Sequence, residues 1–200
     1  MDPISTKALQ LILDAEGLNQ PGKWPGGNSG VTIGIGYDLG FTTVDNFESD
    51  WENDLSSSQL QRLKDAIGLT GIKARNKAAL LTDIKVKRAG SERIFKERTI
   101  PQVQFITEKA FPGIDALPPD AQGALVSLVY NRGASMVDKP GQDNRKEMRA
   151  IRDAVAAHDL QKIADQLRSM KRLWIGKGLD GLINRREAEA KLVESSIQTS

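Results

Sequence analysis

Cysteine is absent from the 200 residues. That excludes a disulfide framework and any thiolate metal site. Histidine occurs once, as His158 in the helical stretch VAAHDL. One imidazole builds neither a zinc site nor a Ser-His-Asp relay, so His158 reads as structural and no metal or cofactor is implied. Long hydrophobic runs are also missing. The longest, Ala124 to Tyr130, is far short of the ~20 residues that span a bilayer, so no stable membrane insertion is expected. The opening MDPISTK lacks the basic and apolar regions of a secretory signal. Synthesis in the cytoplasm is therefore expected, with an external substrate reached by a separate delivery route.

Net charge is low, +2, but unevenly spread. Residues 1–60 carry 2 basic and 9 acidic side chains, whereas residues 61–200 carry 26 and 17. An acidic start beside a basic remainder suggests two lobes with a cleft between them. The basic one would be drawn to an anionic surface: cell wall, nucleic acid or phospholipid. The basic residues are scattered over amphipathic faces without interleaved aromatics, and no helix-turn-helix is discernible. Nucleic acid is therefore the least favoured partner.

Acid is missing from one stretch in particular. Between Glu16 and Asp38 there is no Asp or Glu. Glu16 ends a helix that Ser5 can cap, on the stripe of Leu9, Ile12 and Leu13. Gly17 is a helix stop. Partial desolvation and the negative end of the helix dipole both favour a protonated carboxyl there, which suits a general acid. The bland alternative is a solvated glutamate at a fraying helix end. After a glycine-rich turn, Val31, Ile33, Ile35, Tyr37 and Leu39 alternate with Thr32, Gly34, Gly36 and Asp38. Period-two alternation separates the two sets onto opposite faces. A straight strand would part Thr32 and Asp38 by about 20 Å. Gly34 and Gly36 permit a tight turn, so a hairpin bringing Asp38 back beside Thr32 is expected. Otherwise Asp38 is a turn-stabilising side chain.

AEG followed by TIGIGYDLG resembles the active-site hairpin of phage-type lysozymes, most closely their pesticin-like branch. The phage-type pattern is a helix-terminal Glu, an acid in the first strand, then Thr in TIGxG. Glu16 and Thr32 match it, but the residues before Thr32, WPGGNSG, hold no acid. In the pesticin-like branch the acid follows the Thr by six residues, as Asp38 does here. The resemblance implies Glu16, Thr32 and Asp38 as the catalytic set. It also implies a lysozyme-like α+β, mainly α fold, with a small hairpin-bearing lobe over 15–60 and a helical lobe of 1–14 and 61–200. The implied activity is cleavage of the β-1,4 bond between N-acetylmuramic acid and N-acetylglucosamine by a monomer acting on bacterial peptidoglycan, at the wall or in the periplasm. Trp24 and Tyr37 lie near the implied site and suit sugar stacking, or equally a core or staple role.

Beyond the hairpin the chain reads as helix after helix. Ser56 to Ser58 offer N-caps to one. Another starts at Thr99–Gln102, with Val103, Ile106 and Ala110 on one face. AQGALVSLVYNRG is apolar almost all round and is expected to be the central helix of the larger lobe. Its Asn131 fits the family's amide residue at the substrate cleft, or a helix C-terminal residue. In GLDGLINRREAEAKLVE, Arg185 follows Asn as in the family motif that pairs an arginine with the catalytic Glu. The alternative is a solvated face on which Arg185 and Arg186 pair with Glu189. The terminal SSIQTS is expected to fray.

Overall fold

The computed structural model describes Met1 and residues 3–197. Helix dominates, and the described residues form one two-stranded antiparallel sheet, so the chain is α+β and mainly α. It divides into two compact units, Glu16–Thr99 and Met1–Ala15 with the segment from Ile100 onward.

The first of these holds strands β1 (Thr32–Ile33) and β2 (Tyr37–Asp38) and helices α2 (Val44–Trp51), α3 (Ser57–Lys64), α4 (Gly71–Ala78) and α5 (Arg88–Ile94). A π-helical turn, Phe95–Thr99, follows. The unit reaches well past residue 60, where the sequence placed the end of the small lobe. The physical reason is its core. Val31, Ile33 and Leu39 from the hairpin bury with Phe47 and Trp51 of α2, Leu63 of α3, Ala74 and Ala78 of α4, and Ile94 of α5. A two-stranded hairpin cannot shield its apolar face alone, and α3 to α5 supply the cover. Ser56 caps α3 in a full capping box with Gln59, as its position suggested.

The second unit holds α1 (Thr6–Ala15), α6 (Ile100–Ala110), α7 (Pro119–Arg132), α8 (Lys146–Ala156), α9 (Leu160–Ser169) and α10 (Asp180–Ile197). Every residue from Ala121 to Val129 is buried, so α7 is the central helix here. Gly123 lets α1 come close, because a Cβ at that position would lie 2.2 Å from the Ala8 Cβ. Helix α10 packs on α7 and α9, and α8 packs on α9. On α6 the buried stripe is Ile100, Val103 and Thr107, not Val103, Ile106 and Ala110; Ile106 is 46 % exposed. Thr107 tolerates burial because its hydroxyl donates to the Val103 carbonyl at 2.7 Å. SSIQTS does not fray from its start: α10 runs through Ile197, and Gln198 to Ser200 lie outside the described residues.

The charge split of the sequence does not follow the units. Glu16–Thr99 carries 12 basic and 11 acidic side chains, and the remainder 16 and 15. Each unit is near neutral. Histidine 158 is not within a helix but in the turn between α8 and α9, with φ +52°.

Candidate functional site

The hairpin brings Thr32 and Asp38 opposite each other. Thr32 pairs with Asp38 and Ile33 with Tyr37 across β1 and β2. Gly34 (φ +58°) and Gly36 (φ +69°) take the left-handed conformations that close the loop. Leu39 N–H donates to the Val31 carbonyl at 2.9 Å. That makes Thr32–Asp38 the non-hydrogen-bonded pair, the kind whose side chains sit closest, about 4.5–5.5 Å between Cβ atoms. Thr32 is 7 % exposed and Asp38 half-buried.

The Asp38 carboxylate also has local work. Oδ2 accepts from Gly30 N at 3.1 Å and Oδ1 from Gly40 N at 2.8 Å. A Cβ on Gly30 would fall 2.2 Å from Oδ1, so this packing needs glycine at 30. The turn-stabilising role is therefore present. Each oxygen uses one lone pair on an amide and retains another for a water or ligand. Gly30 and Gly40 escaped the sequence reading. Their only signal is a glycine eight residues before Asp38 and another two after it.

Glu16 follows the last residue of α1 rather than lying in its last turn, and it is half-buried. Its segment is tied to the hairpin through Asn19. Asn19 and Gly34 exchange backbone hydrogen bonds at 2.8 and 2.9 Å, and Asn19 Nδ2 donates to the same Gly34 carbonyl. The Glu16 carbonyl accepts from Arg88 Nη1 at 3.5 Å. Arg88, which also pairs with Glu92 at 2.8 Å, is a neighbour the sequence did not suggest.

Trp24 and Tyr37 are occupied by the fold. Trp24 packs on the core and its Nε1 donates to the Ser29 carbonyl at 3.0 Å, stapling the glycine-rich loop. Tyr37 sits edge-on to Trp51, with centroids 5.7 Å apart. Its hydroxyl donates to Asp50 Oδ2 at 2.9 Å and lies 3.2 Å from Thr42 Oγ1. Burial pushes the phenol up to about 12, Thr42 opposing and Asp50 reinforcing. Of their two candidate roles, the structure shows the core or staple one.

In the other unit, Asn131 is exposed at the end of α7, and its Oδ1 accepts from Arg186 Nη2 at 3.3 Å. Arg185 and Arg186 are not on a solvated face. They are 7 % and 0 % exposed. Arg186 Nη2 pairs with Glu189 Oε1 at 2.7 Å, Ser127 Oγ donates to the same oxygen at 2.6 Å, and Arg185 Nε lies 3.2 Å from Ser127 Oγ. Burial drives the Glu189 carboxyl upward against the pull of Arg186 and Arg185. The spacing of Arg185, Arg186 and Glu189 was legible; their burial was not, because three charges in two turns read as surface.

Residues 10–186 match the family model described as Domain of unknown function (DUF8812). The chain belongs to that family. The DUF8812 match takes in Glu16, Thr32, Asp38, Asn131 and Arg185, so the hairpin and the buried arginines both fall within the family's span. No curated protein matches the chain.

Proposed function

We propose that this DUF8812 protein is a peptidoglycan hydrolase of lysozyme-like fold. It cleaves the β-1,4 bond between N-acetylmuramic acid and N-acetylglucosamine. The observation that carries the reading is the hairpin: Thr32 and Asp38 form a close side-chain pair on one face, and the segment of Glu16 is bonded to the hairpin turn through Asn19. Glu16 donates its proton to the leaving glycosidic oxygen. Asp38 accepts one from a water that Thr32 helps to hold, and that water attacks the anomeric carbon. Two carboxyls in unlike environments suit this division of labour. A carboxyl separation of ~6.5–9.5 Å goes with inversion and about 5 Å with a covalent intermediate and retention. The implied partner is bacterial peptidoglycan, met at the wall by a monomer.

A one-acid lytic transglycosylase is the second reading. It is favoured by the two backbone amides that Asp38 already holds, which give that carboxylate a purpose without chemistry.

Digestion of purified peptidoglycan, with mass spectrometry of the fragments, tests both. Native protein should release reducing N-acetylmuramic acid ends, and Glu16→Gln and Asp38→Asn should each abolish release. Asp38→Asn turns an acceptor into an N–H donor facing a backbone amide, at a cost of about 1–3 kcal/mol. A thermal melt must therefore show that the variant is folded. Anhydro ends that persist in folded Asp38→Asn would select the transglycosylase. Retention of native protein on the wall with no fragments would leave a non-catalytic binding module.

A further inference from the structure

The end of α7 carries positive charge that the protein does not balance. Arg132 is half-buried, stacked with its Cζ 5.2 Å from the Trp174 ring centre. Its Nη2 donates to the Asn144 carbonyl, and its Nε is buried without a protein partner. Arg145 Nη1 donates to the Arg132 carbonyl at 3.2 Å. Arg186 Cζ lies 5.9 Å from the same indole.

The nearby carboxylates are engaged elsewhere. Glu189 pairs with Arg186, Glu147 with Arg172 at 2.6 Å, and Asp138 with Arg149 at 2.9 Å. Among the described residues, neither the Arg132 nor the Arg145 guanidinium has a carboxylate within ion-pair distance. Arg132 pays for its position. Burial first, then the guanidiniums of Arg145 and Arg186, pull it down to about 10, with Glu147 opposing and Arg172 adding to the repulsion. Beside it, Asn131 is exposed and bonds Arg186 through its oxygen, which leaves its amide N–H groups free to donate to a ligand.

We infer that Asn131, Arg132 and Trp174 form a subsite for a carboxylate on the ligand. A carboxylate completes the charge around Arg132, accepts from a guanidinium and an amide together, and lets its apolar neighbours lie on the indole. The assignment of that carboxylate to the peptide stem of a wall muropeptide rests on the peptidoglycan reading above. The helix dipole alone favours a cation at this C-terminus, but it does not supply the counter-charge that the clustered guanidiniums of Arg132 and Arg145 lack. The loop-bracing bond to Asn144 accounts for one guanidinium nitrogen and not for the missing counter-charge.

The test is a nuclear magnetic resonance titration of the isotope-labelled full chain, followed at the Trp174 indole and Arg132 Nε signals. Muramyl dipeptide supplies the carboxylate, an N-acetylglucosamine trimer is the neutral sugar, and inorganic phosphate is a bare oxyanion. Muramyl dipeptide should move both signals, and Arg132→Gln should weaken its binding at least about tenfold, as expected for a charge-assisted hydrogen bond. Should that variant not fold, Asn131→Ala is read the same way, because it removes the amide that donates to the same carboxylate. An equal response to the neutral trimer, a response to phosphate alone, or unchanged binding in the folded variant would each overturn the subsite. Because the titration reads binding without turnover, a chain that binds muramyl dipeptide but releases no fragments refutes the hydrolase and leaves the subsite standing.

Discussion

Tyr37 illustrates how a single side chain in this protein can be assigned. Its ring packs edge-on to Trp51, and its hydroxyl is held by Asp50 and Thr42. The phenol keeps its proton to about 12, against an ordinary value of 10.0. The folded value is raised, so this group's contribution is fully present below the unfolded pKa, near 10, and is lost as pH rises through about 12. Phenolate absorbance should show one of the two tyrosines, Tyr37, ionising about two units above the ordinary value. Tyr37→Phe should remove that step and flatten the loss of thermal stability over the same window. An ordinary titration in folded protein would refute the buried pair. The alternation of 31 to 39 foretold Tyr37's apolar side, because period two is a property of the local chain. Trp24's staple and the two glycine amides that hold Asp38 depend on segments meeting in space, and no local pattern announces them.

The elements themselves were mostly legible where glycine or serine punctuates the chain: Ser56 before α3, Gly34 and Gly36 in the hairpin. The turn between α8 and α9 was not, because its key residue is a histidine. His158 N–H bonds the Val155 carbonyl at 3.0 Å and Asp159 N–H the Ala154 carbonyl at 2.9 Å. That is the Schellman pattern, with His158 in the left-handed position glycine usually fills. Its side chain is exposed, so replacement loses little packing. His158→Gly should therefore stabilise the protein by about 1 kcal/mol, net of the extra freedom glycine gives the unfolded chain, or roughly 2–4 °C in melting temperature. His158→Val should move the melt the other way, since a β-branched residue fits the left-handed region worst. Equal melts for the two variants would mean that the turn relaxes out of the left-handed region. The same reasoning explains the buried stripe of α6: a helix repeat near three and a half residues admits both 103/106/110 and 100/103/107, and only the neighbour decides.

At the scale of the whole molecule, one boundary between the two compact units lies beside a local signal and the other does not. The break after residue 15 coincides with a helix end and Gly17, a local signal. The break at Thr99–Ile100 falls inside a run of helical residues, where Thr99 and Pro101 signal a helix start but not a change of unit, so the sequence alone groups the helices of 61–99 with the helical lobe. What assigns them is the shared core of Ile33, Leu39, Phe47, Leu63, Ala78, Leu81 and Ile94. That core has a consequence for folding. Glu16–Thr99 is one continuous stretch with its own buried cluster, no cysteine and nearly balanced charge. A stretch of this length is above the ~55–65 residues at which many domains fold alone. Expressed by itself, it should give dispersed amide resonances and a cooperative melt. Phe47 is fully buried in it, so Phe47→Ala should cost about 3–5 kcal/mol, most or all of the stability of a small domain. The substitution should therefore abolish the melt of the isolated stretch while Ser49→Ala, at an exposed position of the same helix, leaves it within about 0.5 kcal/mol. A native stretch without dispersion would show that this core, though contiguous in sequence, does not hold without the rest of the chain.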